Sequence, residues 1–209
     1  MKNVFFKPWV GRDYDSGGMF GKKILAVGEA HVCGADCPDC GVDTDLGCDD
    51  LNTTGVVQNY LHNHSGGWSR TFRKFERALY GDYTDDLKSR EIWDSISFYN
   101  YVQRAMTKSR ISPLDEDYQK AEVPFFSVVD KYRPDAIIVW GQVLYNNMSY
   151  DAWTRNEDIC IDGHVGRNGL YTREDGVQVP TLCINHPSSG FNWEKWHKII
   201  NHFLKTLPK

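Results

Sequence analysis

Four short apolar runs, bounded by polar or turn-forming residues, constrain the fold more than any other feature of the sequence. They are Ile24 to Val27, Ile96 to Val102, Ala136 to Trp140 and Thr181 to Ile184. Runs of this length are typical of buried β-strands and are far shorter than the roughly 18 residues of a membrane helix. A chain of 209 residues is long enough to enclose such strands in its own hydrophobic core.

Helical patterns lie between these runs. One stripe contains Val56, Val57, Tyr60 and Leu61, after possible N-caps at Asn52 and Thr53, and a second contains Phe72, Phe75 and Leu79, before Gly81. A third is predicted to begin at Pro124 and to stop at Arg133-Pro134, and the last runs from Trp193 to Phe203.

This alternation predicts a single α/β domain over residues 1–209 with a three-layer αβα fold. Its centre would be a mostly parallel four-stranded sheet flanked by helices. A hairpin turning at Glu174 to Gly176 would add a mixed edge.

Charge and the N-terminal sequence bear on partners and location. The chain has 24 basic and 28 acidic residues, so it lacks the global positive charge of a non-specific DNA coat. Local basic clusters remain, at Arg70, Arg73, Lys74 and Arg77 and at Arg104, Lys108 and Arg110. They could contact phosphates or form solvated helix faces. The N-terminus shows no secretory signal pattern, so a cytoplasmic protein is expected, with no membrane partner.

Polar or glycine-rich residues follow each predicted strand. Gly28-Glu29-Ala30-His31 follows the first, Asn100 lies late in the second, Gly141-Gln142 follows the third, and the stretch from Asn185 to Gly190 follows the fourth. Ligands of open α/β sheets bind at the carboxyl ends of the strands. The sequence therefore predicts a site at this edge.

With these motifs in this order, the chain resembles the uracil-DNA glycosylase superfamily. The resemblance rests on a strand ending in GEA, a later strand with an asparagine, the IIVWG strand, and HPSS before a C-terminal helix. The GEA start looks most like the iron–sulfur class of that superfamily. Ala30 stands where the best-known members place Asp or Asn, and His31 stands where proline is expected.

The resemblance implies a role for each matching residue. His186 would stabilise the departing base anion, Asn100 would read the base edge, and Gly28 and Glu29 would open the turn that positions the attacking water. Ser188 and Ser189 would clamp the DNA backbone, and Ala30 and His31 would lie beside the substrate. The implied partner is DNA with an altered base flipped into the pocket.

The residue types suit this chemistry without the resemblance. Breaking an N-glycosidic bond leaves negative charge on the base, which a preorganised donor such as His186 stabilises. A carboxylate such as Glu29 can offset the sugar cation and orient water, and an amide such as Asn100 can both donate and accept along a base edge. Trp68 and Phe72 are candidate pocket walls, and Phe191 is a candidate wedge.

Each of these residues also has a purely structural interpretation. His186 and Asn100 could satisfy the backbone at strand ends, and Glu29 could be a loop carboxylate. The aromatic residues could belong to the core, and the two serines could cap the last helix.

Four cysteines crowd into a Cys-rich segment, residues 31–50. Cys33, Cys37, Cys40 and Cys48 lie in a stretch rich in Gly and Asp, which cannot fold by apolar burial alone. Such spacing favours a structural zinc site, with an iron–sulfur cluster or no metal as alternatives. His31 could replace one of the ligands, or it could point into the cleft.

Three functions follow from these observations. The first is a DNA glycosylase, a DNA-repair hydrolase that removes uracil or another altered base. The second is a catalytically inactive zinc-containing module that binds nucleic acid or nucleotides. The third is a hydrolase of free nucleosides.

Overall fold

A mixed β-sheet runs through the centre of the protein in a computed structural model that describes residues 1–32, 52–63, 66–106, 111–148, 151–188 and 190–208. Its strands are Trp9–Val10 (β1), Ile24–Gly28 (β2), Ile96–Asn100 (β3), Ala136–Trp140 (β4), Trp153–Arg155 (β5), Ile159–Ile161 (β6), His164–Thr172 (β7) and Gln178–Ile184 (β8). The strand order is β1-β3-β2-β4-β8-β7-β5, and β6 also pairs with β7.

The expectation of a mostly parallel four-stranded sheet is wrong. The four predicted strands do form a parallel block, β3-β2-β4-β8. Antiparallel strands extend this block on both sides, with β1 beside β3 and β7 beside β8. These added strands are two or three residues long or, in β7, rich in glycine and polar residues, so they show no apolar run in the sequence.

Helices cover both faces of the sheet. They are Asn52–His62 (α1), Ser69–Tyr80 (α2), Asp86–Asp94 (α3), Asp115–Tyr132 (α4), Gln142–Asn147 (α5) and Trp193–Thr206 (α6), with short 3-10 helices at Tyr14–Ser16 and Gly18–Phe20. One apolar core lies between the sheet and α1, α2, α3 and α6, and the other lies between the sheet and α4 and α5. The described elements therefore form three layers.

One predicted helix start and one suggested helix cap need correction. The helix expected at Pro124 begins at Asp115, because the Asp117 carboxylate accepts the Leu114 N–H (2.8 Å) and three acidic residues favour this N-terminus. Pro124 lies inside the helix. The cap of α6 is Asn192, whose side chain accepts the Lys195 N–H (2.9 Å), and not the serines.

Other predicted boundaries are confirmed. Gly81 ends α2 in the left-handed conformation, and α4 ends at Tyr132 before Arg133. The hairpin between β7 and β8 turns at Arg173 to Val177, which includes the predicted Glu174 to Gly176. None of the described helices is long and apolar enough to cross a membrane.

Candidate active site

The carboxyl ends of the four parallel strands lie level with one another. Asn100 pairs with Gly28 across β3 and β2, and Trp140 pairs with Ile184 across β4 and β8. After β2 the chain passes to α1 on one face of the sheet, whereas after β4 it passes to α5 on the other face. In open α/β sheets, such a change of direction marks the expected ligand crevice, which here falls between the ends of β2 and β4.

Gly28 and Asn100 fit against each other at this crevice. A Cβ atom at Gly28 would clash with Oδ1 of Asn100 and would lie 3.1 Å from the Phe98 ring. The Asn100 amide therefore lies over Gly28, pointing from β3 toward β4. Asn100 is 7% exposed, so its amide is sheltered but still reaches the surface.

His31 lies beside Asn100 and is buried. Its Nε2 is 2.8 Å from the Thr53 hydroxyl, and the Phe6 ring packs edge-on against it with centroids 4.7 Å apart. Burial lowers the pKa of His31 to about 4, so the ring is neutral at pH 7. Of the two roles considered for His31, these contacts favour the one in the cleft.

Glu29 lies on the opposite side of the strand end. Its carboxylate accepts a 2.6 Å hydrogen bond from the Tyr118 hydroxyl of α4. Burial, together with this bond to Glu29, raises the pKa of Tyr118, which therefore stays a donor. Glu29 and Ala30 are both half-buried.

His186 follows β8 and stands at the rim of the crevice. Its Nδ1 is 2.9 Å from the Ser188 hydroxyl, and its ring lies edge-on to Trp140 with centroids 6.4 Å apart. Although the residue is exposed, the surrounding protein partly desolvates the imidazole and lowers its pKa. Gly141, at φ +108°, brings the chain after β4 close to the His186 side chain.

The two aromatic residues predicted as pocket walls have different environments. Trp68 is 41% exposed at the start of α2, whereas Phe72 is 8% exposed and packs against Trp140 and Phe98. The edge of the Trp68 ring meets Phe72 with centroids 5.6 Å apart. Trp68 is thus the one of the pair that is available to a ligand, and Phe72 supports it from the core.

Phe191, close to the HPSS motif, is placed differently from its predicted role. Phe191 is 6% exposed and stacks on Trp196, with centroids 5.9 Å apart, so in this conformation it belongs to the core and does not project as a wedge. Ser189 lies outside the described residues.

The basic clusters are partly engaged. Lys74 donates to the Ser188 carbonyl, Arg77 lies over the Tyr83 ring, and Arg104 forms a bidentate pair with Asp117. Arg70 is exposed on α2, next to Trp68. Lys108 and Arg110 lie outside the described residues.

Sequence reasoning missed Thr53 and Tyr118 as partners of site residues. Thr53 was expected only as a possible N-cap, and Tyr118 precedes the predicted start of its helix. The apolar spacing of Tyr118, Ala121 and Phe125 was a signal that α4 begins before Pro124.

A cavity of about 430 Å³ lies between α4 and the end of α5. Its lining is Asp115, Tyr118, Gln119, Glu122, Asn146, Asn147, Met148 and Asp151. It contains neither Asn100 nor His186, and only Tyr118 links it to Glu29. Its three carboxylates would repel a nucleic acid, so we place the candidate site at the strand ends instead.

The predicted metal ligands Cys33, Cys37, Cys40 and Cys48 lie outside the described residues. Within the described part of the chain, no cluster of three or more His, Cys, Asp or Glu side chains is arranged to hold a metal ion. Cys160 is exposed and Cys183 is buried, and neither is in a disulfide.

Comparison with known proteins adds no identification, since no protein-family model matches the chain and no curated protein is detectably similar to it.

Proposed function

We propose that the protein is a cytoplasmic DNA glycosylase that hydrolyses the N-glycosidic bond of uracil or another altered base, with DNA as its expected partner. The observation that supports this proposal is that Asn100, beside Gly28, and His186, beside Gly141, both lie at the carboxyl-end edge of the parallel strands. Neighbouring strands are about 4.8 Å apart, so β3, which bears Asn100, and β8, which precedes His186, are about 14 Å apart. Between them lie Gly28 and Gly141, which have no side chains. A flipped base fits between groups that reach in from both sides.

Each group has a chemical role in this reaction. The Asn100 amide reads the base edge, and the His186 imidazole stabilises the negative charge that develops on the departing base. Its hydrogen bond with Ser188 orients the ring. Glu29, fixed by Tyr118, is the carboxylate that would orient water or offset the sugar cation. The exposed Trp68 offers a surface on which a base can stack.

The test uses oligonucleotides that carry uracil, hypoxanthine or another altered base, with alkali to reveal abasic sites. We expect His186→Ala to lower single-turnover cleavage by about 100-fold or more, the effect of losing one donor to a developing anion. Asn100→Ala should also lose cleavage. The matched controls are His202→Ala and Asn156→Ala, which change exposed residues on α6 and between β5 and β6. Full activity in both site variants would refute the assignment.

Two observations favour a second function, a binding module of the same fold. Ala30 contributes no polar side chain, and the Glu29 carboxylate is already engaged by Tyr118. This alternative predicts binding of nucleic acid or nucleotides without any abasic product. Detection of such a product from a homogeneous preparation would eliminate it, and competition by free nucleosides would identify a nucleoside hydrolase.

We further propose that Cys33, Cys37, Cys40 and Cys48 hold a structural zinc ion. Four thiolates fill a tetrahedral site and leave no position for water, so the metal would brace the chain without entering the reaction. Elemental analysis should find one zinc per chain, and Cys37→Ser with Cys40→Ser should abolish it. Cys160→Ser, which changes an exposed cysteine, is the control. Iron with a visible absorption band would instead indicate a cluster.

A further inference from the structure

The contact between His31 and Asn100 has a geometry that an ordinary hydrogen bond does not explain. Nδ2 of Asn100 is 3.2 Å from Nδ1 and 3.1 Å from Nε2 of His31. These two nitrogens flank the Cε1 atom of the ring. If Nδ2 lay in the plane of the ring at these distances from the two nitrogens, it would overlap Cε1. The Asn100 amino group therefore lies over the face of the imidazole.

This placement favours one orientation of the Asn100 amide. The face of a neutral aromatic ring is electron-rich, and it attracts N–H groups. The reversed amide would put the carbonyl oxygen against the ring and the amino group over Gly28. With the amino group on His31, Oδ1 lies over Gly28, as the clash with a Cβ atom at that position shows.

The His31 ring is itself held in place. The Thr53 hydroxyl engages Nε2 at 2.8 Å, and the Phe6 ring supports one side. The His31 carbonyl also accepts the Met106 N–H at 2.7 Å, which ties the segment after β2 to the segment after β3. His31 is 5% exposed, so few other ring positions are open to it.

We infer that His31 is a positioning residue that fixes the Asn100 amide with its oxygen toward the crevice, so that the pocket selects bases with a ring N–H beside a carbonyl. Uracil and hypoxanthine carry this lactam edge. Cytosine and adenine present a ring lone pair at the same place, which the Asn100 oxygen repels. The selectivity for bases rests on one part of the proposed function, the binding of a base beside Asn100, whereas the orientation of the amide does not.

Nuclear magnetic resonance tests the orientation directly. The Asn100 side-chain amide signals, identified by their loss in Asn100→Asp, should be shifted upfield by the His31 ring current. His31→Leu should abolish this shift, and His62→Leu, which changes an exposed histidine on α1, should preserve it. Unshifted Asn100 signals in the unmodified protein would overturn the inference.

Binding tests the selectivity without turnover. In a His186→Ala background, we compare oligo(dA) strands that carry a single uracil or a single cytosine. The protein with His31 unchanged should bind the uracil strand about tenfold or more tightly than the cytosine strand. In His31→Leu, the ratio of these two affinities should be close to one. Thr53→Val, which replaces only the hydroxyl with a methyl group, should reduce this ratio, and Thr53→Ser, which keeps the hydroxyl, should preserve it. These two variants keep the test decisive if His31→Leu fails to fold.

The outcomes separate the two proposals. A lactam preference that depends on His31, without cleavage by the unmodified protein, would refute the glycosylase and support this inference. Cleavage together with an unchanged base preference in both His31→Leu and Thr53→Val would support the glycosylase and refute this inference.

Discussion

Gly28 is the residue on which the site geometry depends most closely. Its missing side chain provides the space that the Asn100 oxygen occupies. The backbone of Gly28 is also paired, since its carbonyl accepts the Tyr101 N–H at 2.9 Å. The position therefore combines a fixed backbone with an open face.

We expect Gly28→Ala to lower base cleavage about as strongly as Asn100→Ala, because the added methyl group displaces the amide. The free energy of unfolding should fall by only about 1 kcal/mol, because only the end of the Asn100 side chain and the Phe98 ring must shift. Urea unfolding and a cleavage assay measure the two effects. Gly55→Ala on α1, which meets no atom within 4 Å, is the control. Unchanged cleavage in Gly28→Ala would show that Asn100 does not act through this contact.

Among the helices, the docking of α2 onto α3 depends on one buried carboxylate. Glu76 of α2 is fully buried. It accepts hydrogen bonds from the Thr84 hydroxyl, from the Ser89 hydroxyl at 2.8 Å and from the Trp93 indole N–H at 3.1 Å. Because Trp68 directly precedes α2 and α3 leads into β3, this network holds the position of Trp68 relative to the strand that bears Asn100.

Glu76→Ala should lower the free energy of unfolding by about 3 kcal/mol, because it leaves several buried donors without an acceptor. Chemical denaturation followed by Trp fluorescence measures the change. Glu174→Ala, in the exposed hairpin turn, should stay within about 0.5 kcal/mol of the unmodified protein. A loss below about 1 kcal/mol for Glu76→Ala would mean that water replaces the carboxylate.

Across the whole molecule, the strands differ in how much of each is covered. Every residue of β2 and β4 is buried, whereas β5 and β6 have no buried residue. Hydrogen exchange should therefore be slowest in Ile24–Gly28 and Ala136–Trp140 and markedly faster in Trp153–Arg155 and Ile159–Ile161. Mass spectrometry of peptic fragments measures this order. Equal protection of β5 and β2 would contradict it.

The same difference in burial explains how much could be predicted from sequence. β2 and β4 are apolar throughout because both faces are covered, so their patterns are unmistakable. β1, β5 and β6 are too short for any pattern, and β7 carries polar residues on half-buried positions and glycine on two of its buried ones. Asn100 and His186 could be placed because strand ends converge. The contacts of His31 with Thr53 and of Glu29 with Tyr118 could not, since only the packed helices bring these residues together.

The contact between His31 and Thr53 also affects which part of the chain can vary in length and sequence. It joins two points that flank residues 33–51, and Val32 is bridged to Met106. When the two ends of a segment are already held together, lengthening or shortening the segment costs little entropy. The sequence between His31 and Thr53 can then be changed, in evolution or by protein engineering, while the amide of Asn100 keeps its position.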